Sequence, residues 1–214
     1  MLPFLFIATT LLSLILFYQG TGKDKRVLVF SIFWLLSIGL ISYNGYFENT
    51  QEKPPRFIFA VIPTIIASIW FYRTIDLNRI KPKFLVAVHV VRIPVELILF
   101  ELFLQKKVPL LMTFKGWNFD ILMGILATFI LFYMLYTKKN PSKSFVLSWN
   151  ILGLLFLTAI VLIAVLSSPL PIQLLAFDQP NLAVLQFPYI YLPTYIVPVV
   201  FISHLLTLKD MLHG

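Results

Sequence analysis

Seven runs of apolar residues divide the chain, at roughly 2–19, 27–47, 57–75, 83–104, 119–137, 145–167 and 187–208. A helix needs about 20 apolar residues to cross the hydrocarbon of a bilayer, and each run is near that length. The pattern predicts an all-α fold, a polytopic membrane bundle of seven transmembrane helices forming one domain over residues 1–214. The connections are short, as between antiparallel neighbours in a bundle. The first run has no basic segment before it and no small-residue cleavage site, so it is expected to be a retained span rather than a signal.

One connection breaks the pattern. Residues 168–188, SPLPIQLLAFDQPNLAVLQFP, hold four prolines and Asp178 but no basic residue. The segment is too apolar for a solvated loop and too broken to span. It is expected to lie at the outer interface or fold back over the bundle, as a plain connection or as a cap.

Composition agrees with a lipid-facing surface. The chain is 59% hydrophobic and 12% charged, against about 25% charged in soluble domains. The lipid bilayer is therefore its first partner. The net charge of +8 does not point to nucleic acid, because the cations sit in short loops and not along one wet face. Lys23, Lys25, Arg26, Arg73, Arg79, Lys81, Lys83, Lys138, Lys139, Lys143 and Lys209 fall on one side of the expected bundle. Lys53, Arg56, Lys106, Lys107 and Lys115 fall on the other. This asymmetry predicts the N-terminus outside and the C-terminus in the cytoplasm.

The fourth span, KPKFLVAVHVVRIPVELILFELFLQKK, carries the unusual chemistry. At 3.6 residues per turn, His89, Arg92 and Glu96 lie within about 60° of one another. Charge inside a spanning helix is costly and marks a functional site, here one for a small solute, ion or proton. The bland alternative is a structural tie: Arg92 and Glu96 are four apart and can pair along the helix. Pro94 lies between them and frees the carbonyl of Val90, which predicts a kink. Glu101, one to two turns further out, is a further possible ligand on a different face.

His204, in the seventh span, matches His89 in depth. Two imidazoles on facing helices are the axial set of a b-type haem, which makes electron transfer an alternative reading with His89 and His204 as ligands. No metal site is expected, since two histidines without a matched carboxylate hold metal weakly, and no cofactor is expected under the first reading. A structural or partner-binding subunit is the third reading. In the loop before the fifth span, Asn118 suits a helix cap and Asp120 the first turn. Asn44, Thr64, Ser68, Thr128, Asn150, Thr158 and Ser203 are expected to hydrogen-bond between helices.

Several classes are set aside. The sequence has no cysteine, which removes thiol catalysis and Cys-ligated metals. It has no P-loop, HExxH or GxSxG motif and no mid-membrane lysine for a Schiff base. An enzyme is not the favoured reading.

The stretches HVVRIPVELILFELF, MTFKGWNFDILMG and FPYIYLPTYIVPVVFISHLL resemble uncharacterised integral membrane proteins of Bacteroidota-type bacteria, over roughly residues 80–210. The resemblance implies a multi-pass protein of a bacterial inner membrane. It brings no activity and no catalytic residues.

Overall fold

The computed structural model describes residues 1–50 and 52–213. Every regular element among them is helical, and they contain no strand. The α-helices are α1 (Leu2–Gly20), α2 (Lys25–Tyr43), α3 (Ile58–Thr74), α4 (Pro82–Val88), α5 (Arg92–Leu104), α6 (Asp120–Thr137), α7 (Lys143–Leu166) and α8 (Val197–His213). A 3-10 turn at His89–Val91 joins α4 to α5 as one continuous helical run. Helices α1, α2, α6, α7 and the stretch Leu192–Leu212 are long and apolar enough to cross a membrane.

The side chains are distributed inside out relative to a soluble protein. On α2, Val29, Phe33, Leu36 and Leu40 are each about two-thirds exposed, while Ser31 and Ser42 are buried. On α1, Thr9, Thr10 and Ser13 are buried. Water would penalise that exposed apolar face, whereas lipid does not.

Local chemistry sets several helix ends. Asp24 caps α2, accepting the Arg26 N–H at 2.9 Å and pairing with its guanidinium at 2.6 Å. The hydrogen bond from Arg26 holds the Asp24 carboxyl below its ordinary value. Ser142 caps α7 by accepting the Phe145 N–H. Four contacts then gather one end of the bundle. Arg26 donates to the Thr74 carbonyl, Arg79 to Gly22, the Lys81 N–H to Gly20 and Lys209 to Tyr72.

Two prolines shape the helices around the interior. Pro94 has no N–H for the Val90 carbonyl and crowds it, and the preceding turn tightens to 3-10 geometry. Before α8, residues Leu192–Ile196 form a π turn. Pro198 has no N–H for the Thr194 carbonyl. That carbonyl instead accepts Trp34 Nε1 at 3.0 Å and Thr64 Oγ1 at 3.4 Å, joining α2 and α3 to the turn.

The connections are not passive. The segment 168–191 folds onto the bundle. Gln179 Nε2 donates to the carbonyls of Phe103 and Val108. The N–H groups of Leu182 and Ala183 both reach the Lys107 carbonyl, and Gln186 reaches Glu48. The segment 105–119 turns inward. Leu104 lies twelve residues past Arg92, roughly 18 Å at the α-helical rise, yet Asp120 is in contact with Arg92. The intervening chain therefore descends into the bundle, where Val108, Met112, Thr113 and Asn118 are buried. Non-helical backbone at that depth is tolerated where protein encloses it.

Helix bounds depart from the hydropathy pattern in two places. The second helix stops at Tyr43, and a 3-10 turn covers Tyr46–Glu48. The last rod starts at Leu192 and not near 187. Most of the expected interhelical hydrogen-bonders also differ from expectation. Ser68, Thr128 and Ser203 bond the carbonyl four residues back in their own helix, as Asn44 does through its amide. That acceptor is always in reach, whereas a neighbouring helix seldom offers a free one. Thr64 and Asn150 do bridge helices.

Candidate functional site

The 3-10 turn and the start of α5 place His89, Arg92 and Glu96 facing α6, α7 and α8. Around them gather Asn118 and Asp120 from the descending segment and first turn of α6, Trp149 and Asn150 from α7, and His204 from α8. None of these eight residues is more than 5% exposed, so their polar atoms answer to one another and not to water.

Arg92 is the hub. Its Nη2 donates to His204 Nε2 at 3.1 Å, and its Nη1 lies 3.5 Å from Asp120 Oδ1. A guanidinium only donates, so His204 Nε2 must be the bare, accepting nitrogen. The proton then sits on Nδ1, which donates to Asn150 Oδ1 at 2.8 Å. The Asn150 amide is oriented independently, because its Nδ2 donates to the Val146 carbonyl at 2.7 Å. His204 is thus held as one neutral tautomer. A second proton, on Nε2, would remove the acceptor that Arg92 uses and set two cations side by side.

The carboxyl end is built by Asn118. Its Nδ2 donates to Glu96 Oε1 at 2.6 Å and to the Met112 carbonyl at 3.1 Å. Its Oδ1 accepts the Asp120 N–H, so the residue serves the start of α6 and the site at once. Asp120 is in the first turn of α6 with its carboxyl turned inward to Arg92.

Close approach depends on two glycines. A Cβ on Gly153 of α7 would collide with the His204 ring. A Cβ on Gly124 of α6 would lie 2.9 Å from Ile93 Cγ1 and 3.3 Å from Arg92 Cβ. Both helices reach the polar cluster because these positions carry no side chain.

Several enclosed atoms have no protein hydrogen-bond partner. They are both ring nitrogens of His89, Arg92 Nε and Nη1, Glu96 Oε2, Asp120 Oδ1 and Trp149 Nε1. Native interiors leave few such atoms, and each calls for an explanation. His89 is packed and not bonded: its ring stands edge-on to Trp149 at 4.9 Å and lies tilted over His204 at 3.9 Å between centroids.

The structure brings together His89, Arg92, Glu96 and His204, as their spacing and depth predict. It does not bring in Glu101, which is exposed on α5. Five residues past Glu96, it points about 140° away. Arg92 and Glu96 are not joined by a direct hydrogen bond or ion pair; Arg92 turns to Asp120 and His204, and Glu96 to Asn118. The histidine pair does not fit a haem in this arrangement. Axial imidazoles present nitrogens across a porphyrin, whereas these rings lie against each other and both nitrogens of His204 are engaged. No group of three or more metal-ligating side chains occurs among the described residues. Asp120, Asn118, Asn150 and Trp149 complete the site without having been singled out for it. The signal available for Asp120 was Gly124, one turn along the same helix face.

The fold and site define an all-helical protein in which, among the described residues, five helices long and apolar enough to cross a membrane surround an enclosed polar cluster. Residues 56–212 match the family described as Domain of unknown function (DUF8737), and the chain belongs to that family. The match takes in every residue of the cluster and leaves out α1 and α2. No curated protein and no solved structure matches the chain significantly.

Proposed function

We propose that this is a seven-span protein of a bacterial inner membrane, N-terminus outside, that takes up and passes a proton at the His89–Arg92–Glu96 site. The observation that carries the reading is the charge balance of the enclosed cluster. Two carboxyls, Glu96 and Asp120, face one guanidinium, Arg92. With both carboxyls ionised and both imidazoles neutral, one negative charge is left over in a site closed to water. An uncompensated buried charge is expensive. One proton, held among Glu96, Asp120 and His89, removes it.

The atoms without a hydrogen bond support the same reading. Glu96 Oε2 and the His89 nitrogens are places where a proton can rest or be handed on. The side chains pack directly on one another, which suits a proton better than a bulky solute. The basic asymmetry of the loops supports the orientation.

Infrared difference spectra between acidic and alkaline conditions test the reading. A carboxyl band that titrates in the wild type and disappears in Glu96→Gln or Asp120→Asn supports it. Spectra identical in wild type and both variants overturn it.

A second reading is a structural tie. It is favoured by the way Arg92 and His204 join α5, α6, α7 and α8 through three contacts. Under that reading Glu96→Gln, which keeps the Asn118 bond, changes nothing.

A further inference from the structure

Four lysines crowd one cleft at the end of the bundle, away from the polar cluster. The cleft lies where the start of α4 meets the end of α6. Ile80, Pro82, Met134 and Leu135 contribute apolar walls, and Lys81, Lys83, Lys138 and Lys139 line it with Asn140. It measures about 340 Å³.

No carboxylate lines the cleft, and none of the four lysines is in an ion pair among the described residues. The ammonium of Lys83 lies over the Phe84 ring. Lys138 is held in a left-handed conformation (φ 57°) that bends the chain just past α6. Four like charges in one concavity repel one another, and an anion relieves that repulsion.

The surroundings identify the kind of anion. The face of α6 running away from the cleft is apolar and open: Phe132, Leu135 and Tyr136 are 68%, 59% and 82% exposed. A phosphate in the cleft would therefore sit at the head of a greasy track. A soluble phosphate gains nothing from that track, whereas acyl chains do.

We propose that this cleft binds the headgroup of an anionic phospholipid, with its acyl chains along the exposed face of α6. Lys81 and Lys83 hold the phosphate from the α4 side, and Lys138 and Lys139 from the α6 side. The lipid thereby bridges the two helices at the end opposite the descending segment.

Native mass spectrometry of the detergent-purified full chain tests this. The added probes are phosphatidylglycerol, phosphatidylcholine of the same acyl chains, and free glycerol phosphate. The wild type is expected to retain phosphatidylglycerol at least tenfold more than phosphatidylcholine. Replacing Lys81, Lys83, Lys138 and Lys139 together by Gln removes that preference, while Lys23→Gln with Lys25→Gln, at the same end but outside the cleft, preserves it. These are exposed positions, and an unchanged melting temperature confirms that the fourfold variant is folded. Equal retention of both lipids, or unchanged preference in the fourfold variant, overturns the proposal. Displacement of phosphatidylglycerol by equimolar glycerol phosphate also overturns it, by identifying a soluble phosphate as the ligand.

Discussion

Arg92 and His204, 112 residues apart, meet through a 3.1 Å contact between Nη2 and Nε2 inside the bundle. The contact fixes the tautomer of His204, which in turn engages Asn150, so three helices share one chain of bonds. Arg92 also stands against Asp120, and its removal leaves a buried carboxyl without its cation. Breaking a buried pair from one side costs about 3–5 kcal/mol. Arg92→Ala is expected to lower the unfolding temperature in detergent sharply. Arg92→Lys restores the charge but not the fork that reaches both partners, so it rescues only part of the loss.

Glu96→Gln separates charge from shape. A glutamine Oε1 still accepts the Asn118 amide, so stability changes by less than about 1 kcal/mol. The protonatable group is lost. Thermal unfolding close to wild type, together with loss of proton movement, is the expected pair of results.

Gly153→Ala puts a methyl where the His204 ring lies. Overpacking of this kind costs about 1–3 kcal/mol. Because His204 must move, its bonds to Arg92 and Asn150 weaken together. The imidazole resonances of His204 in NMR spectra of labelled protein are expected to shift.

Trp34→Phe removes the donor that meets the Thr194 carbonyl above Pro198. Thr64 remains as a weaker partner. A loss of about 1 kcal/mol is expected, the usual net value of such a bond, with hydrogen exchange rising in the π turn before α8.

Much of the helical layout is legible in the sequence because lipid exposure writes itself into long apolar runs. The cluster of His89, Arg92 and Glu96 is legible because three residues on one helix obey one periodicity. His204 is legible only by depth. Glu101, offered as a further ligand on a different face, stays outside the cluster because five residues turn it to the opposite side of α5. Asp120 and Asn118 read as ordinary helix-start residues. Nothing local signals that the chain before them descends beside Arg92. Asn150 resembles six other polar residues in the spans, and only the rotation of α7, permitted by Gly153, selects it.

Proton movement through the bundle is the central claim, and proteoliposomes loaded with a pH-sensitive dye measure it. With a potassium gradient and valinomycin setting the voltage, wild-type vesicles are predicted to acidify or alkalinise faster than protein-free vesicles. Glu96→Gln vesicles, holding folded protein at equal density, are predicted to fall back to the protein-free rate. Equal rates in wild-type and protein-free vesicles, or an undiminished rate with Glu96→Gln, would contradict the account.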